Sequence, residues 1–105
     1  MSTISGSARA LKQYHVYVIE LSPQTKDDNR FCVYVGQSWH EPERRFLQHK
    51  EGIRAARVVR RSGLRLRPDL VAGWGPYASR EDSLAAEAEL AAELRERGYR
   101  VFGGH

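Results

Sequence analysis

The sequence has little cysteine and no long apolar run, and each shortage excludes a class of protein. Of its 105 residues, 41% are hydrophobic and one is a cysteine, Cys32. A single cysteine can form neither an internal disulfide nor a cysteine-rich zinc site, so the fold must depend on packing. No apolar run reaches the ~20 residues of a membrane-spanning helix, and residues 1–13 lack the apolar core of a secretion signal. We therefore expect no membrane association and a cytoplasmic location.

The length of the chain limits how many units it can form. A chain of 105 residues is typical of one domain with one small core. Residues 1–13 are small and polar without a period, which predicts a flexible N-terminal arm. We assign residues 14–105 to a single domain, so any active site must be built from the helices and strands of that domain.

The basic residues are concentrated in one segment. The chain has 17 Lys and Arg against 13 Asp and Glu, a net charge of +4, yet residues 44–67 contain nine basic residues and one acid. Such segregation favours a surface that binds a polyanion, usually nucleic acid, although a solvated helix face is the alternative. The nine are Arg44, Arg45, Lys50, Arg54, Arg57, Arg60, Arg61, Arg65 and Arg67.

The pattern of apolar residues predicts an α/β fold. Residues 14–21 and 31–37 are rich in aromatic and β-branched residues and predict an antiparallel pair of strands. The predicted helices cover residues 42–50, 53–62 and 79–97, and two further short strands cover residues 64–67 and 99–102. Gly63 is placed to end the second helix and Ser79 to cap the third. This order predicts a small three- to four-stranded, mainly antiparallel sheet flanked by helices, an α/β sandwich.

One acid of the last helix falls on its apolar face. At 100° per residue, Glu87 lies with Leu84, Leu90 and Leu94, whereas the other acids of the helix point elsewhere. Burial of a lone carboxylate is unfavourable, so an inward Glu87 predicts a bound divalent ion or an arginine partner. The alternative is a position at the margin of the apolar stripe, from which the carboxylate reaches water.

Two further pairs of residues have the right chemistry for a phosphate substrate. Arg45 and His49 are four residues apart on one helix and share a face; arginine can grip a phosphate and histidine can transfer a proton. Tyr17 and Tyr34 occupy the two paired strands. An exposed Arg/His pair and two core tyrosines are the alternative interpretations.

Taken together, these elements resemble the GIY-YIG nuclease family. Its two signature triads correspond to His15-Val16-Tyr17 and Tyr34-Val35-Gly36. The segment from Glu43 through Arg45 to His49 is similar to the arginine helix of the family, and the segment ending at Glu87 is similar to its metal-binding glutamate segment. The order and spacing of these elements cover about residues 14–102.

The resemblance implies an endonuclease that hydrolyses DNA phosphodiesters at a single-metal site. In that case Tyr17, with Tyr34 beside it, positions or activates the attacking water, and His49 assists proton transfer with Tyr17. Arg45 holds the scissile phosphate, and Glu87 binds Mg²⁺ or Mn²⁺, a hard cation that suits one carboxylate and water.

The resemblance also implies that Gly36 lets the backbone and DNA approach closely. From the basic segment we expect four arginines to contact the DNA backbone: Arg54, Arg57, Arg60 and Arg61. A nonspecific nuclease, a structure-specific one and one guided by a partner protein or a homodimer all remain open.

The chain departs from the family pattern at two places that matter. His15 replaces the leading glycine of the first triad, and the only asparagine is Asn29, so no asparagine follows Glu87. The basic segment and the missing asparagine motivate the second hypothesis, a catalytically inactive module of the same fold that binds DNA or RNA. A third is a protein-interaction domain whose basic helix meets an acidic partner.

Overall fold

A four-stranded sheet forms the centre of the computed structural model, which describes residues 12–27 and 30–104. The strand order is β3-β1-β2-β4; β1 is antiparallel to both β2 and β3, and β4 is parallel to β2. The strands are β1 (His15–Leu21), β2 (Cys32–Ser38), β3 (Gly63–Leu66) and β4 (Arg100–Gly103). The predicted mainly antiparallel α/β sheet flanked by helices is confirmed.

Within residues 12–27 and 30–104, three α-helices flank the sheet: α1 (Pro42–Glu51), α2 (Arg57–Ser62) and α3 (Arg80–Glu96). A short 3₁₀ helix, Pro68–Val71, follows β3. Pro42 occupies the first turn of α1, where its missing N–H removes no helical hydrogen bond. Ser79 Oγ accepts a hydrogen bond from the Asp82 N–H at 3.1 Å, which is the predicted cap of α3.

The second helix is shorter than the prediction, which placed its start at Ile53. Gly52 ends α1 in a left-handed conformation, with φ of 86°, and the Ile53 N–H then bonds to the Gln48 carbonyl at 2.8 Å. Arg54 is also left-handed, with φ of 45°. Two left-handed residues so close together reverse the chain, so a helix can restart only at Arg57.

The end of that helix also differs from the prediction. Gly63 has φ of −68° and ψ of 128°, an extended conformation, and it is already the first residue of β3. A Cβ at position 63 would lie 2.6 Å from the Val59 carbonyl oxygen. Glycine is needed here because the helix and the strand approach closely, and no left-handed turn is involved.

Two apolar layers form, one on each face of the sheet. Because strand side chains alternate, Val16 and Val18 of β1 face α3 with Val33 and Val35 of β2, whereas Tyr17 and Ile19 face the opposite side with Val59 of α2. On the first face these valines pack against Leu90, Ala91 and Leu94. The same alternation brings Tyr17, Tyr34 and Gly36 to the face beneath α1 and α2.

The short β4 leaves part of β2 uncovered. Its last pairing with β2 is Val35 with Gly103, and Gly103 and Gly104 then take positive φ values of 73° and 74°. A Cβ on Gly103 would collide with the Val35 carbonyl oxygen, and one on Gly104 with the Ala91 side chain. Two glycines therefore allow the chain to turn away before it reaches Gly36.

Two predictions fall mainly outside what the structure describes. The arm predicted for residues 1–13 overlaps the described residues only at positions 12 and 13, and the assignment of residues 14–105 to one domain stays a prediction. Among the described residues, no helix is both long and apolar enough to cross a bilayer.

Candidate active site

The Tyr17 side chain lies across the backbone of Gly36. The two residues pair directly between β1 and β2. A Cβ on Gly36 would lie 2.5 Å from the Tyr17 hydroxyl oxygen and 2.6 Å from the adjacent ring carbon, far inside van der Waals contact. The missing side chain at position 36 thus creates the space for the phenol. Sequence reasoning explained Gly36 by the approach of DNA; the structure supplies a different reason.

Tyr17 meets His49 of α1 in a buried hydrogen bond. Tyr17 Oη lies 2.9 Å from His49 Nε2, and these residues are 2% and 1% exposed. Tyr34 completes an aromatic cluster, with its ring centroid 6.4 Å from that of Tyr17 and 5.6 Å from that of His49. The structure therefore brings together three of the residues that the sequence singles out.

The backbone of the neighbouring loop fixes the tautomer of His49. The Ala56 N–H donates to His49 Nδ1 at 3.0 Å, so Nδ1 carries no proton. Burial, and to a lesser extent the charge of Arg45, lower the pKa of His49 from 6.5 to about 4. The ring is therefore neutral at neutral pH with its proton on Nε2, and it donates to the Tyr17 oxygen.

Burial holds both tyrosines in their protonated form. It is the main cause of the raised pKa of Tyr17, to which Tyr34 and Glu87 add, while Arg45 opposes the rise. The pKa of Tyr34 is raised by burial and by Glu87. Since His49 already donates its Nε2 proton to Tyr17, Tyr17 does not donate its hydroxyl proton to His49.

Arg45 lies beside Tyr17 and also braces the loop that follows α1. Its Nη1 donates to the Ile53 carbonyl at 3.1 Å and to Gln48 Oε1 at 3.2 Å, and its Nη2 donates to the Arg54 carbonyl at 2.7 Å. A guanidinium has five N–H donors, so donors remain for a further acceptor. The loop contacts fix the side chain in one orientation.

Glu87 is buried on α3, as its helical position predicts. It is 5% exposed, and its carboxylate has no hydrogen-bond or ion-pair partner within residues 12–27 and 30–104. Fully buried side-chain oxygens in this part of the chain all have partners, so the small exposed part of Glu87 must include the carboxylate. Burial raises the pKa of Glu87 to about 7, and Arg80 opposes the rise.

A groove of about 380 Å³ opens beside Arg45, and its described lining does not include Tyr17, His49 or Glu87. The end of β2, the arginine side of α1, the loop after α1 and the start of α3 form its walls. Its described lining residues are Tyr14, Gln37, Ser38, Trp39, His40, Arg45, Gln48, Ile53, Arg54 and Arg80. The groove therefore combines three arginines with aromatic and amide groups, which suits a nucleotide.

The four arginines predicted to contact DNA occupy different places. Arg54 lines the groove, whereas Arg57, Arg60 and Arg61 are exposed on α2 and are absent from its described lining. The Arg60 guanidinium carbon would lie 3.0 Å from a Cβ on Gly52, so this side chain folds back over the end of α1. Contact of all four with one DNA backbone stays a prediction.

Comparison with known families now adds to this geometry. A family model described as the GIY-YIG catalytic domain matches residues 13–100 of the 105-residue chain. The chain belongs to the GIY-YIG family. No curated protein and no solved structure matches it. GIY-YIG proteins form a nuclease family, which acts on nucleic acid and generally uses a divalent metal ion.

One carboxylate of this GIY-YIG site, that of Glu87, fits a metal ion. No group of three or more His, Cys, Asp or Glu side chains that could hold a metal occurs in the described part of the chain. Glu87 offers one hard oxygen ligand that lacks a described partner, and Mg²⁺ accepts a site with few carboxylates when water and phosphate oxygens supply the rest. The donor set therefore fits a single Mg²⁺ or Mn²⁺.

Sequence reasoning missed two groups of residues in this GIY-YIG site. Arg80 is seven residues before Glu87, two helical turns, so the same wheel that placed Glu87 could have found it. Ser83 Oγ donates to Gln37 Oε1 at 2.8 Å and joins α3 to β2. Ser83 lies on the same face of α3 as Glu87. Its partner, Gln37, is 46 residues away in the chain, so no local sequence pattern predicts their hydrogen bond.

Proposed function

We propose that this chain is a metal-dependent endonuclease that hydrolyses DNA phosphodiester bonds. The observation that carries the proposal is the buried pair of Tyr17 and His49, 2.9 Å apart, with Arg45 beside it and Glu87 near enough to raise the pKa of Tyr17. A domain that only binds nucleic acid needs neither a buried phenol nor an unpartnered inward carboxylate. Membership of the GIY-YIG family supports the same reading.

Arg45 would bind the scissile phosphate in this proposal. Its loop contacts orient the guanidinium before substrate arrives, so little entropy is lost when the phosphate binds. A fixed cation also stabilises the additional negative charge that develops in the transition state. The groove wall that Arg45 shares with Arg54 gives the adjoining phosphates a cationic path.

Tyr17 would hold the attacking water through its hydroxyl group. It can accept a proton from that water only as a phenolate, whose formation releases the phenol proton to solvent, and burial makes this release difficult in the free protein. His49 Nε2–H and Arg45 are the two neighbouring donors that stabilise a phenolate on Tyr17. We therefore propose that His49 acts as a fixed donor to Tyr17, in place of the proton carrier that sequence reasoning proposed.

Glu87 would be the protein ligand of the divalent ion. When bound, Mg²⁺ or Mn²⁺ would stabilise negative charge on the phosphate and the leaving oxygen. A bound cation would compensate the cost of burying the Glu87 carboxylate, which explains why α3 carries an inward glutamate.

The test is cleavage of supercoiled plasmid and of branched DNA by the purified protein with Mg²⁺ or Mn²⁺. We expect product with wild type and at least about a 100-fold loss with Glu87→Gln, in line with the loss of a major electrostatic contact in an active site. Glu89→Gln is the matched control because Glu89 lies exposed on the same helix.

The same assay separates the two leading functions. Salt-dependent DNA binding by wild type without any product, unchanged by Glu87→Gln, would replace the nuclease by a binding module of the same fold. Equal cleavage by wild type and Glu87→Gln would exclude the proposed metal site.

A further inference from the structure

Trp39 is a large aromatic side chain at the mouth of the groove. It is 51% exposed and lines the groove together with Arg45 and Arg54. Single exposed hydrophobic residues are common, but this indole does not stand alone. The His40 ring stacks on it, with centroids 3.9 Å apart and planes at 30°.

The turn that presents Trp39 is held in place. The His40 N–H donates to Ser38 Oγ at 3.0 Å, and Ser38 is a buried residue at the end of β2. Trp39 and Arg45 line the same groove, and the charge of Arg45 reaches His40, which stacks on Trp39. The indole therefore lies close to a phosphate bound at Arg45.

Positive charge surrounds this aromatic pair. Lys12 Nζ lies 4.8 Å from the centre of the Trp39 ring. The charges of Arg44, Arg45 and Lys12 add to desolvation in lowering the pKa of His40. An aromatic surface ringed by cations matches the two parts of a nucleotide, since the base can stack and the phosphate can pair with the cations.

A base must be unpaired to use such a surface. In a duplex, neighbouring base pairs cover both faces of each base, so an aromatic side chain can stack only on a base that is single-stranded or turned out of the helix. His40 covers one face of the indole. The other face is left for a base. Lys12 Nζ also lies over the ring, and because its stem is flexible it can give way to a base while staying near the phosphate.

We infer that Trp39, backed by His40, is a stacking platform for an unpaired nucleobase next to the phosphate bound at Arg45. The inference rests on the proposed function for the position of that phosphate. It names the substrate class as nucleic acid with unpaired bases, such as a gap, a flap or a single strand, in preference to continuous duplex.

The test compares binding of two fluorescein-labelled DNAs of equal length, a continuous duplex and the same duplex with a central single-stranded gap, without divalent ions. We expect wild type to bind the gapped DNA more tightly. Trp39→Ala should weaken that binding about tenfold, within the range of a base-stacking contact, and should change duplex binding less than about twofold. Trp39→Phe should keep most of the affinity.

A second readout reports stacking directly. With 2-aminopurine in the gap, its fluorescence should be quenched by wild type and not by Trp39→Leu, which keeps apolar bulk without the ring. Phe31→Ala is the control, because Phe31 is also an exposed aromatic residue but is not part of the described lining of the groove. Far-ultraviolet circular dichroism checks that each variant folds.

The outcomes keep the two proposals apart. Unchanged binding of gapped DNA by Trp39→Ala, or an equal loss on both DNAs, would overturn the platform even if the protein cleaves DNA. Selective loss on gapped DNA would support the platform even if wild type gives no cleavage product, or if Glu87→Gln cleaves as well as wild type.

Discussion

Arginines of one basic segment behave differently at the groove and at the β3 edge. At the edge, Arg67 forms a two-pronged contact with Asp69, at 3.0 and 2.9 Å, and both Arg65 and Arg67 reach Glu20. At the groove, neither Arg45 nor Arg54 has an ion pair within residues 12–27 and 30–104. The arginines at the edge form ion pairs that connect β3 and the residue after it to Glu20 of β1. The arginines that face the groove are available to bind phosphates.

Some arginines of the basic segment form ion pairs within the protein, and others are left to bind a ligand. The amino-acid composition cannot distinguish these two uses of positive charge. Arg67 is partly buried, and its neighbours raise its pKa, with the Asp69 contact the largest cause. Arg45 instead donates its hydrogen bonds to uncharged carbonyls, so its positive charge is not neutralised by a carboxylate and can pair with an anionic ligand. A protein that binds polyanions needs the second arrangement at its binding surface.

The largest expected effect concerns two glycines, one in each region. Gly36→Ala places a methyl group where the Tyr17 phenol lies, so we expect cleavage to fall at least about 100-fold, comparable to the loss of a catalytic contact. Gly63→Ala, near the edge, crowds the Val59 carbonyl and should lower the melting temperature with the activity per folded molecule retained. The measurements are the cleavage rates and the melting temperatures of both variants. Equal cleavage rates for Gly36→Ala and Gly63→Ala would contradict the role of Gly36 in making space for the Tyr17 phenol.

The next effect compares two arginines. Arg45→Lys keeps the charge but loses the forked contacts with the Ile53 and Arg54 carbonyls, so cleavage should fall about 100-fold. Arg67→Lys loses the two-pronged contact with Asp69 and should instead lower the melting temperature by roughly 4–8 °C per kcal/mol lost, without changing cleavage. Similar rates for the two variants would show that Arg45 only braces the loop.

The third effect is a difference in acid stability. Because the folded His49 has a pKa of about 4 and an unfolded histidine one near 6.5, the unfolded chain binds a proton in this range that the fold does not. Stability should therefore fall as the pH falls from 6.5 to about 4. At the edge, Arg67 lowers the pKa of Asp69, so that contribution is lost only at pH values below the ordinary aspartate pKa.

The effect of His49 on acid stability has to be measured in a variant that lacks the Glu87 carboxylate. The pKa of Glu87 is raised to about 7, so its protonation stabilises the fold as the pH falls and opposes the effect of His49. Urea unfolding of Glu87→Gln should show the loss of stability, and Glu87→Gln combined with His49→Gln should not. Identical pH curves for these two proteins would contradict a neutral buried His49.

The smallest effect is on the salt dependence of DNA binding. Loss of one phosphate contact reduces the slope of log affinity against log salt by about 0.9 for duplex DNA. We expect such a reduction for Arg54→Ala at the groove and none for Arg65→Ala at the edge, where Glu20 already pairs with the arginine. Equal slopes for both variants would remove the distinction between the two regions.

Local patterns in the sequence were sufficient for most of the fold. The alternation in β1 and β2, the cap at Ser79 and the inward position of Glu87 all depend on residues close together in the chain. The restart of α2 at Arg57 was missed because the left-handed Arg54 is unusual for a residue with a Cβ.

The site was less predictable than the fold. The resemblance named Tyr17 and His49, but the tautomer of His49 depends on the Ala56 N–H, in a loop that periodicity assigned to a helix. The pairing of Arg67 with Glu20 spans 47 residues and has no local signature. Trp39 is one aromatic residue in a turn, and its stacking on His40 exists only in three dimensions.

The contact between Tyr17 of β1 and Gly36 of β2 means that the residue allowed at one position depends on the residue at the other. A tyrosine at 17 fits only where position 36 has no side chain, and a smaller residue at 17 would leave a void above the glycine. Each triad by itself is a common short string. The last residue of the first triad and the last residue of the second fit each other in shape, so a substitution at Tyr17 or at Gly36 changes the packing of both.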